Sequence, residues 1–369
     1  YHEDDVMSFD VFDTLVTRKV ATPKGIFALM QEKLADEAVL PGLPLRVRQG
    51  FFDMRWFYER KARERWQKDS REDITFEEVY QCLGEAEDLS AEQLQGLMKL
   101  EIELEAQNLV GIESNIRQVK ELLASGHRVI LISDMYLGEK EIRSLLVNVD
   151  EVFRELPIYS SADMGKGKWS GNGYRYVRQH EALDIFHWVH TGDNKVSDIE
   201  RARELGLKTV YYNGAALTRR ESELLSKHED DVSLHVAVGG LRLRRLQGED
   251  VSLDTLPDLP SEQDVPFGLA NRYPVGVLAD KIALYGAGSL GRDLYAKLKQ
   301  QGKDVVCWVD RQADTLKKQG MPVEPVERLR QGGFEQVVIA VKDRGKAREI
   351  RGTLMGMGVA EKDIFWLDC

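Results

Sequence analysis

The stretch VMSFDVFDTLVTR, residues 6–18, contains the pattern that decides the fold of this 369-residue sequence. A short apolar run leads to Asp10, which is how a buried parallel strand presents a carboxylate at its carboxyl end. The strand pattern then breaks into a turn that carries Asp13 and Thr14. Open parallel sheets bind ligands at this edge, so the stretch predicts an α/β domain with a reactive carboxylate in its site.

The sequence that follows predicts a helical insertion and then a return to the sheet. From Thr22 to about Gly111, apolar residues lie three and four apart, which is typical of amphipathic helices. Strand patterns follow at 128–133, 157–159, 186–191 and 208–212, with helical patterns near 114–125, 138–147 and 198–205. This alternation indicates parallel strands joined by crossover helices. We predict a first domain over residues 1–213, with a helical insertion at about 20–112.

The rest of the chain predicts a connector and a second, smaller α/β domain. Residues 234–246 have the pattern of a short amphipathic helix, and 249–266 are acidic and contain proline, as linkers do. A second α/β series begins with a strand at 281–285 and continues with strands at 305–310 and 336–341 and a helix at 346–356. We predict a linker or helical connector over 214–279 and the second domain over 280–369.

Composition excludes several classes of protein. The net charge of -11 disfavours a general affinity for nucleic acid, and we find neither a run of 18 apolar residues nor a signal-peptide pattern. Three widely spaced cysteines, Cys82, Cys307 and Cys369, predict neither a disulfide framework nor a zinc site. We therefore expect a cytoplasmic protein without a membrane span. The chain begins at Tyr1 rather than at a methionine, and we expect it to be part of a longer protein.

Four elements with complementary chemistry follow predicted strands in chain order. Asp10 is placed to attack phosphorus and form an aspartyl-phosphate. Ser133 is placed to hydrogen-bond a phosphoryl oxygen, and Lys168, in a glycine-rich loop, offers a cation to offset developing charge. Asp193 and Asp198 lie five residues apart, at a strand end and in the first helical turn, and can converge with Asp10 on a hard cation such as Mg²⁺.

Each of these residues also has a purely local alternative role. Acids and hydroxyls after strands commonly cap helices or form turns, and lysines in loops are commonly solvated. The joint occurrence of all four elements, in order and at the expected places, favours the functional interpretation. The residues with a turn or cap alternative are Asp13, Ser133, Asp134, Asp193 and Asp198, while Lys166 is an alternative to Lys168 as the site cation.

In order and spacing, these elements resemble the haloacid-dehalogenase-like (HAD) hydrolase superfamily, over roughly residues 5–213. More narrowly, SFDVFDTLVTR (8–18), LISDMYL (131–137) and the spacing of Lys168 to Gly171 resemble HAD-like proteins associated with bacterial surface-polysaccharide synthesis. The resemblance implies a HAD-like parallel sheet with a helical cap, Mg²⁺, and a small phosphorylated or nucleotide-linked substrate, with other glycan-assembly domains or proteins as further partners. The implied roles are nucleophile and metal ligand for Asp10, phosphate contacts for Thr14 and Ser133, charge balance for Lys168, and completion of the metal site by the Phe12 backbone carbonyl, Asp193 and Asp198.

One position departs from the family pattern. HAD phosphatases usually carry a second Asp two residues after the nucleophile as the general acid, and here that residue is Phe12. General acid catalysis typically contributes about 10²–10⁴-fold, so loss of a sugar alkoxide is expected to be slow. The rate is expected to fall less where the leaving group needs no proton, as with a nucleoside diphosphate or an acyl phosphate. The alternative hypothesis is a weak or inactive module that binds a nucleotide-sugar or scaffolds glycan assembly.

The second α/β series carries a glycine motif. KIALYGAGSLGRDLYAKL places Gly286, Gly288 and Gly291 between a strand and a helix, and Asp310 ends the next strand. This context is typical of sites where glycines admit a pyrophosphate and the acid accepts from a ribose hydroxyl. Glycines that serve only a tight turn and close packing are the structural alternative. The segment 281–366 resembles small Rossmann-like domains of sugar-modifying enzymes, which implies a nucleotide or nucleotide-sugar ligand rather than NAD.

Overall fold

The computed structural model describes residues 5–68, 70–263 and 265–368, so that Tyr1 and Cys369 lie outside it. The chain forms two compact units, Tyr1–Pro260 and Ser261–Cys369. Each unit contains its own parallel sheet, which confirms the predicted α/β class. The boundary between the units falls inside the predicted connector, so 214–260 group with the first unit and 261–279 with the second.

The first unit is built on a five-stranded sheet in which every neighbouring pair of strands is parallel. Its strands are β1 Val6–Phe9, β4 Arg128–Ser133, β5 Ile158–Ser160, β6 Trp188–Gly192 and β7 Lys208–Tyr211, and the short strands β2 Val16–Arg18 and β3 Leu109–Gly111 form a separate ribbon. The sheet order is β5-β4-β1-β6-β7. Phe9 of the central strand lies opposite Leu131 and Thr191, so the residues that follow these positions meet at one edge of the sheet.

Helices cover this sheet because their apolar stripes are buried against it. On one side, Tyr174 and Val177 pack with Ile130, Ile132 and Trp188. The helices of the unit are α1 Pro23–Leu34, α2 Leu45–Trp66, α3 Phe76–Glu87, α4 Ala91–Asn108, α5 Glu113–Ala124, α6 Glu139–Val149, α7 Ser161–Met164, α8 Asn172–Glu181, α9 Arg201–Glu204, α10 Arg219–Leu225 and α11 Val232–Leu246. Shorter helical turns span Glu151–Phe153, Ile185–His187 and Leu253–Thr255, and a π-helical turn spans Lys195–Glu200.

Helices α1 to α4 form the predicted insertion. Thr75 and Ser90 begin α3 and α4 with capping boxes, which satisfy the free amides of the first helical turn. The prediction of helix up to Gly111 is wrong for its last three residues, because β3 pairs with β2 in an antiparallel ribbon at the base of the insertion. We refer to residues 23–108 as the cap.

A buried ion pair inside the cap accepts a hydrogen bond from the loop after β4. Arg55 of α2 donates to both carboxylate oxygens of Glu101 of α4, at 2.7 and 2.8 Å. Tyr80 donates to the same carboxylate at 2.6 Å, and Tyr136, from the loop after β4, donates to it at 3.0 Å. Removal of one partner from such a pair leaves a buried charge uncompensated, and the bond from Tyr136 ties this pair to the sheet domain.

The predicted helix at 234–246 is α11, and it packs closely against the chain between β2 and α1. Arg242 donates to the backbone carbonyls of Arg18 (2.7 Å), Val20 (2.7 Å) and Ala21 (2.9 Å). Gly239 is so close to this segment that an added Cβ would lie 1.9 Å from the carbonyl oxygen of Lys19. The first part of the predicted connector is thus packed onto the base of the cap.

The second unit has a four-stranded parallel sheet in the order β11-β10-β8-β9. Its strands are β8 Lys281–Tyr285, β9 Asp304–Val309, β10 Gln336–Ile339 and β11 Ile364–Phe365. Its helices are α12 Ser289–Gln300, α13 Ala313–Lys318 and α14 Arg344–Gly356, and short turns span Gly268–Ala270, Val275–Val277, Val326–Gln331 and Glu361–Asp363. Apolar residues of β8, β9 and β10 pack with Ala347, Ile350 and Leu354 of α14.

Two further sequence predictions concern the chain as a whole. Among the described residues, every helix is too short or too polar to cross a bilayer. Cys82 and Cys307 are buried free thiols, whereas the prediction for Cys369 falls outside the described residues.

Candidate active site

The carboxyl edge of the first sheet presents Asp10 directly after β1. Its backbone amide donates to the carbonyl of Thr191 at 2.8 Å, which fixes the residue against β6. The side chain is 11% exposed, and Lys168 Nζ donates to its Oδ1 at 2.5 Å. The carboxylate of Asp10 is therefore buried and bonded to a buried ammonium.

Lys168 and Asp198 complete a buried charge cluster with Asp10. Lys168 Nζ lies 2.6 Å from Asp198 Oδ1, and both side chains are almost fully buried. Oxygen atoms of Asp10, Asp193 and Asp198 lie within 4.8 Å of one another. Carboxylate oxygens at such spacing suit a hard cation such as Mg²⁺. The Phe12 backbone carbonyl belongs to the turn after Asp10, and its place among the metal ligands stays a prediction.

The electrostatics of the cluster leave it short of positive charge. Burial raises the pKa of Asp10 well above its usual value against the opposing effect of Lys168, and the charges of Asp198 and Asp193 raise it further. Burial, together with the charges of Asp13 and Asp198, raises the pKa of Asp193 to about 6. Burial opposes ionisation of Asp198, but Lys168 and a hydrogen bond from His190 hold its pKa well below the usual range.

Lys168 is held in its charged form. Burial alone would lower the pKa of this ammonium, but Asp10 and Asp198 raise it well above the usual value. One ammonium thus faces three carboxylates. A divalent cation at the three acids would balance the charge that the lysine leaves uncompensated.

The residues predicted to contact phosphate lie at the same edge. Thr14 Oγ1 donates to Asp10 Oδ2 at 3.2 Å, and Asn115 Nδ2 donates to the Thr14 carbonyl at 2.7 Å, which holds the turn in place. Ser133 is the last residue of β4, the neighbour of β1, and is 1% exposed. The structure therefore brings together Asp10, Thr14, Lys168 and Asp198 by direct contact, with Ser133 on the adjoining strand.

The turn after Asp10 places Phe12 and Asp13 in different surroundings. Phe12 is half-buried, and the guanidinium of Arg18 lies over its ring at 4.7 Å from the centroid. Asp13 has a φ of 58°, and its carboxylate accepts from Thr17 Oγ1 at 2.6 Å. One oxygen of the Asp13 carboxylate is therefore used within the turn, which agrees with the turn role predicted from the sequence, while the side chain stays partly exposed.

A cavity of about 780 Å³ begins at this turn. Phe12 and Asp13 line it on the sheet side, and Trp56 lines it from the cap. Leu217 and His235 line it from the segment that follows β7, which the sequence had left without a role. The cavity therefore has a third wall, made by the first part of the predicted connector.

The chain matches no family model and no curated protein. Similar solved structures do exist. A 2-haloacid dehalogenase from Pseudomonas syringae pv. Tomato DC3000 is 18% identical, with a TM-score of 0.42, and the match covers 58% of this chain and 88% of that one. YfnB of Bacillus subtilis, described as a HAD-hydrolase bound to magnesium, is 18% identical, with a TM-score of 0.38 and coverage of 57% and 90%. A HAD phosphatase from Thermococcus onnurineus is 16% identical, with a TM-score of 0.37 and coverage of 57% and 87%. Because these identities and TM-scores are low, the chemistry of the chain has to be inferred from its own side chains.

Sequence reasoning missed a hydrogen-bonded chain behind Asp198. Trp188 Nε1 donates to Ser8 Oγ at 2.7 Å, and Ser8 Oγ lies 2.8 Å from His190 Nδ1. His190 Nε2 lies 3.3 Å from Asp198 Oδ1. Burial lowers the pKa of His190, and a neutral ring with its proton on Nε2 lets every member of the chain donate to the next. The alternation of side chains along β1 and β6 places Ser8 and His190 opposite each other, but it does not predict the hydrogen bond between them.

Sequence reasoning also gave Asp134 a local cap role that proves to be a long-range one. Its carboxylate accepts from the backbone amide of Lys168 at 2.8 and 2.9 Å, and from that of Trp169 at 3.4 Å. Asp134 therefore supports the lysine loop from the end of β4. Lys166, the alternative cation, instead donates to the Ser70 carbonyl.

The predicted site of the second unit has a structural explanation for most of its residues. Gly286 has a φ of 107°, and a Cβ added to it would lie 2.9 Å from the Ala340 carbonyl oxygen. A Cβ added to Gly291 would lie 2.0 Å from the Gly286 carbonyl oxygen. At Gly288 an added Cβ would meet open space. The carboxylate of Asp310 accepts from the Ala287 and Gln312 amides, both at 2.8 Å.

A cavity of about 380 Å³ adjoins Asp310. Asp314 and Glu327 line it together with Arg311, so acids outnumber bases. This balance disfavours a phosphate in that cavity, whereas the open side of Gly288 is compatible with one at the start of α12. Nucleotide or nucleotide-sugar binding stays a prediction, which calorimetry with NAD, UDP-sugars and CMP-sugars would test.

Proposed function

We propose that the first unit is a Mg²⁺-dependent phosphohydrolase or phosphotransferase that works through an aspartyl-phosphate on Asp10. The observation that carries the proposal is the convergence of Asp10, Asp193 and Asp198 with Lys168 at the carboxyl edge of one sheet. Such a cluster combines a nucleophile, a hard-cation site and a fixed ammonium. These are the parts that phosphoryl transfer requires.

In the proposed first step, an oxygen of Asp10 forms a bond to phosphorus while the bond from phosphorus to the leaving oxygen breaks. Lys168 offsets the negative charge on the transferring group and on Asp10. Thr14 and Ser133 donate hydrogen bonds to phosphoryl oxygens. A Mg²⁺ held by Asp10, Asp193 and Asp198 would supply further charge neutralisation. In the second step, water or an acceptor hydroxyl attacks phosphorus, the carboxylate of Asp10 is restored, and the proton of the attacking group passes to solvent.

Phe12 defines which leaving groups suit this site. The phenylalanine offers no proton to the leaving oxygen, and general acid catalysis is typically worth about 10²–10⁴-fold. Acyl phosphates and nucleotide-linked diphosphates leave without a proton, so they are the favoured chemistry. Simple sugar phosphates would react slowly.

The cavity supports a substrate with a large body. Its volume of about 780 Å³ falls within the range of pockets that hold whole metabolites and far exceeds the needs of a phosphate. Four aromatic side chains, Phe12, Phe27, Trp56 and Tyr136, contribute to its wall. We propose a phosphorylated sugar or a nucleotide-linked intermediate as substrate; the surface-glycan setting rests on the sequence resemblance and stays a prediction.

The alternative function is a weak or inactive module that binds a nucleotide-sugar or organises other glycan-assembly domains. The observation that favours it is the placement of Phe12, whose ring is covered by Arg18. A site that has an aromatic ring in place of a general acid can still bind its ligand without converting it.

The deciding experiment is a phosphate-release screen of the full chain with and without Mg²⁺. The substrates are acetyl phosphate, p-nitrophenyl phosphate and sugar phosphates, and UDP-sugars, which carry no terminal phosphoryl group, are followed by release of UMP. We expect release from acetyl phosphate that is abolished by EDTA and by Asp10→Asn. Asp88→Asn makes the same charge change at an exposed position of the cap and is expected to behave as wild type. A well-folded, Mg²⁺-loaded protein that releases neither phosphate nor UMP from any of them would favour the binding module.

A further inference from the structure

The loop that carries Lys168 is held by the cap as well as by the sheet domain. The cap residues between α2 and α3 reach this loop through Glu72, whose side chain is 7% exposed. Glu72 Oε2 accepts from the Gly167 amide at 2.7 Å and from Ser170 Oγ at 2.6 Å. Its Oε1 accepts from Asn172 Nδ2. One carboxylate of the cap thus binds residues on both sides of Lys168.

The backbone of Glu72 strengthens the same contact. Its amide donates to the Gly165 carbonyl at 2.9 Å, and a bond within the cap, from Gln67 Nε2 to the Glu72 carbonyl at 2.6 Å, holds Glu72 in place. The neighbouring residue Asp73 accepts from Ser161 Oγ at 2.5 Å, outside the lysine loop. Glu72 is therefore the cap residue whose bonds concentrate on the loop, while Asp73 docks the cap elsewhere on the sheet domain.

The second anchor of the loop is Asp134, which accepts from the amides of Lys168 and Trp169. The two anchors differ in origin, since Asp134 follows β4 and stays with the sheet, whereas Glu72 would leave with the cap. Movement of the cap away from the sheet would remove the bonds of Glu72, whereas those of Asp134 and the bond from Arg201 Nε to the Trp169 carbonyl, at 3.0 Å, would stay.

We propose that Glu72 is a positioning residue through which a docked cap holds Lys168 against Asp10 and Asp198. The lysine then reaches its full effect on the transferring group when the cap is closed over the substrate, which links charge stabilisation to exclusion of water. This inference rests on the proposed function for its catalytic consequence, but the coupling between cap and loop exists independently of any activity.

The first test measures the coupling without a substrate. Amide hydrogen exchange of the full chain, resolved to single residues by mass spectrometry, is compared between wild type, Glu72→Ala and Glu72→Gln. We expect the amides of Lys168 and Trp169 to exchange about 10–100-fold faster in Glu72→Ala, although their own acceptor Asp134 is intact. Glu77→Gln changes the same charge at an exposed position of α3 and is expected to leave both amides unchanged.

The second test measures turnover of acetyl phosphate with Mg²⁺. Glu72→Gln keeps one acceptor oxygen but replaces the other with an NH₂ group, which faces a hydrogen-bond donor of the loop and cannot accept from it. We therefore expect kcat to fall about tenfold and KM to change less than about twofold. Ser170→Ala removes one of the three side-chain bonds and is expected to give a smaller loss of kcat. This variant also covers the case in which Glu72→Ala does not fold.

The outcomes separate the two proposals. Wild-type exchange at Lys168 and Trp169 in a folded Glu72 variant would overturn the coupling, whatever the activity. Faster exchange with unchanged kcat would show a structural contact and overturn the positioning role. Faster exchange in a protein that releases no phosphate would uphold the coupling and overturn the proposed function instead.

Discussion

The two adjacent glycines of α11 provide a stringent test of how this helix packs against residues 19–22, at the base of the cap. An alanine Cβ at Gly239 would lie 1.9 Å from the Lys19 carbonyl oxygen and 2.9 Å from the Val20 carbonyl carbon, and neither backbone atom can rotate away. Separation of the helix from this segment would break the three bonds of Arg242. Overpacking costs about 1–3 kcal/mol and lost bonds to a charged donor about 1.5–3 kcal/mol each, so we expect Gly239→Ala to lose at least about 3 kcal/mol.

Gly240→Ala is the matched control with the opposite sign. An added Cβ there meets nothing within 4 Å, and alanine is favoured over glycine in a helix interior by about 0.8–1.0 kcal/mol. For a unit of this size, 1 kcal/mol corresponds to about 2–4 °C in Tm, so we expect Gly239→Ala to melt about 6–12 °C lower and Gly240→Ala about 2–4 °C higher than wild type. Scanning calorimetry of the full chain measures both. Equal melting of Gly239→Ala and wild type would refute the packing of α11 on the base of the cap.

Three further predictions concern the site. Lys168→Met should lower acetyl phosphate turnover about 10²–10³-fold with the circular dichroism spectrum unchanged, because a fixed ammonium is lost; a loss below tenfold would contradict its role. Asp198→Asn should weaken Mg²⁺ binding at least about tenfold in calorimetric titration with MgCl₂, since one of three carboxylates is lost; unchanged affinity would remove it from the metal site. Phe12→Asp should raise hydrolysis of a sugar phosphate less than about tenfold, well short of what a working general acid gives; a gain of 10² or more would show that the acid alone was missing.

Sequence was sufficient for the parts of the site that lie on strands. In a parallel sheet the carboxyl ends meet at one edge, so Asp10, Ser133 and Asp193 are brought together by topology alone. Lys168 was identifiable by its type and order in the chain, but its loop has no periodicity that could place it. Its position depends on Asp134 and Glu72, which lie 34 and 96 residues away in sequence.

Short elements and long-range side-chain contacts were beyond the reach of sequence patterns. Strands β2 and β3 have three residues each, too few to show alternation, and their pairing joins segments on either side of the cap. Helix α11 was predicted from its amphipathic pattern, but Arg242 could not be distinguished from neighbouring arginines until its acceptors, more than 200 residues earlier, were in place. The helix pattern reveals the buried face, not what it is buried against.

The surroundings of Phe12 determine how an acid introduced at this position would behave. A carboxylic acid introduced at this position would lie beside the guanidinium of Arg18, now 4.7 Å from the ring centre. An opposite charge at this range favours the ionised form and lowers the pKa of a carboxyl group, so the new acid would carry no proton to give at neutral pH. Arg18 cannot simply be removed, because it donates to both carboxylate oxygens of Glu105, at 2.8–3.1 Å in a buried pair. A working general acid at position 12 would therefore require changes at Phe12, Arg18 and Glu105 together, which is consistent with the proposed preference for leaving groups that depart without a proton.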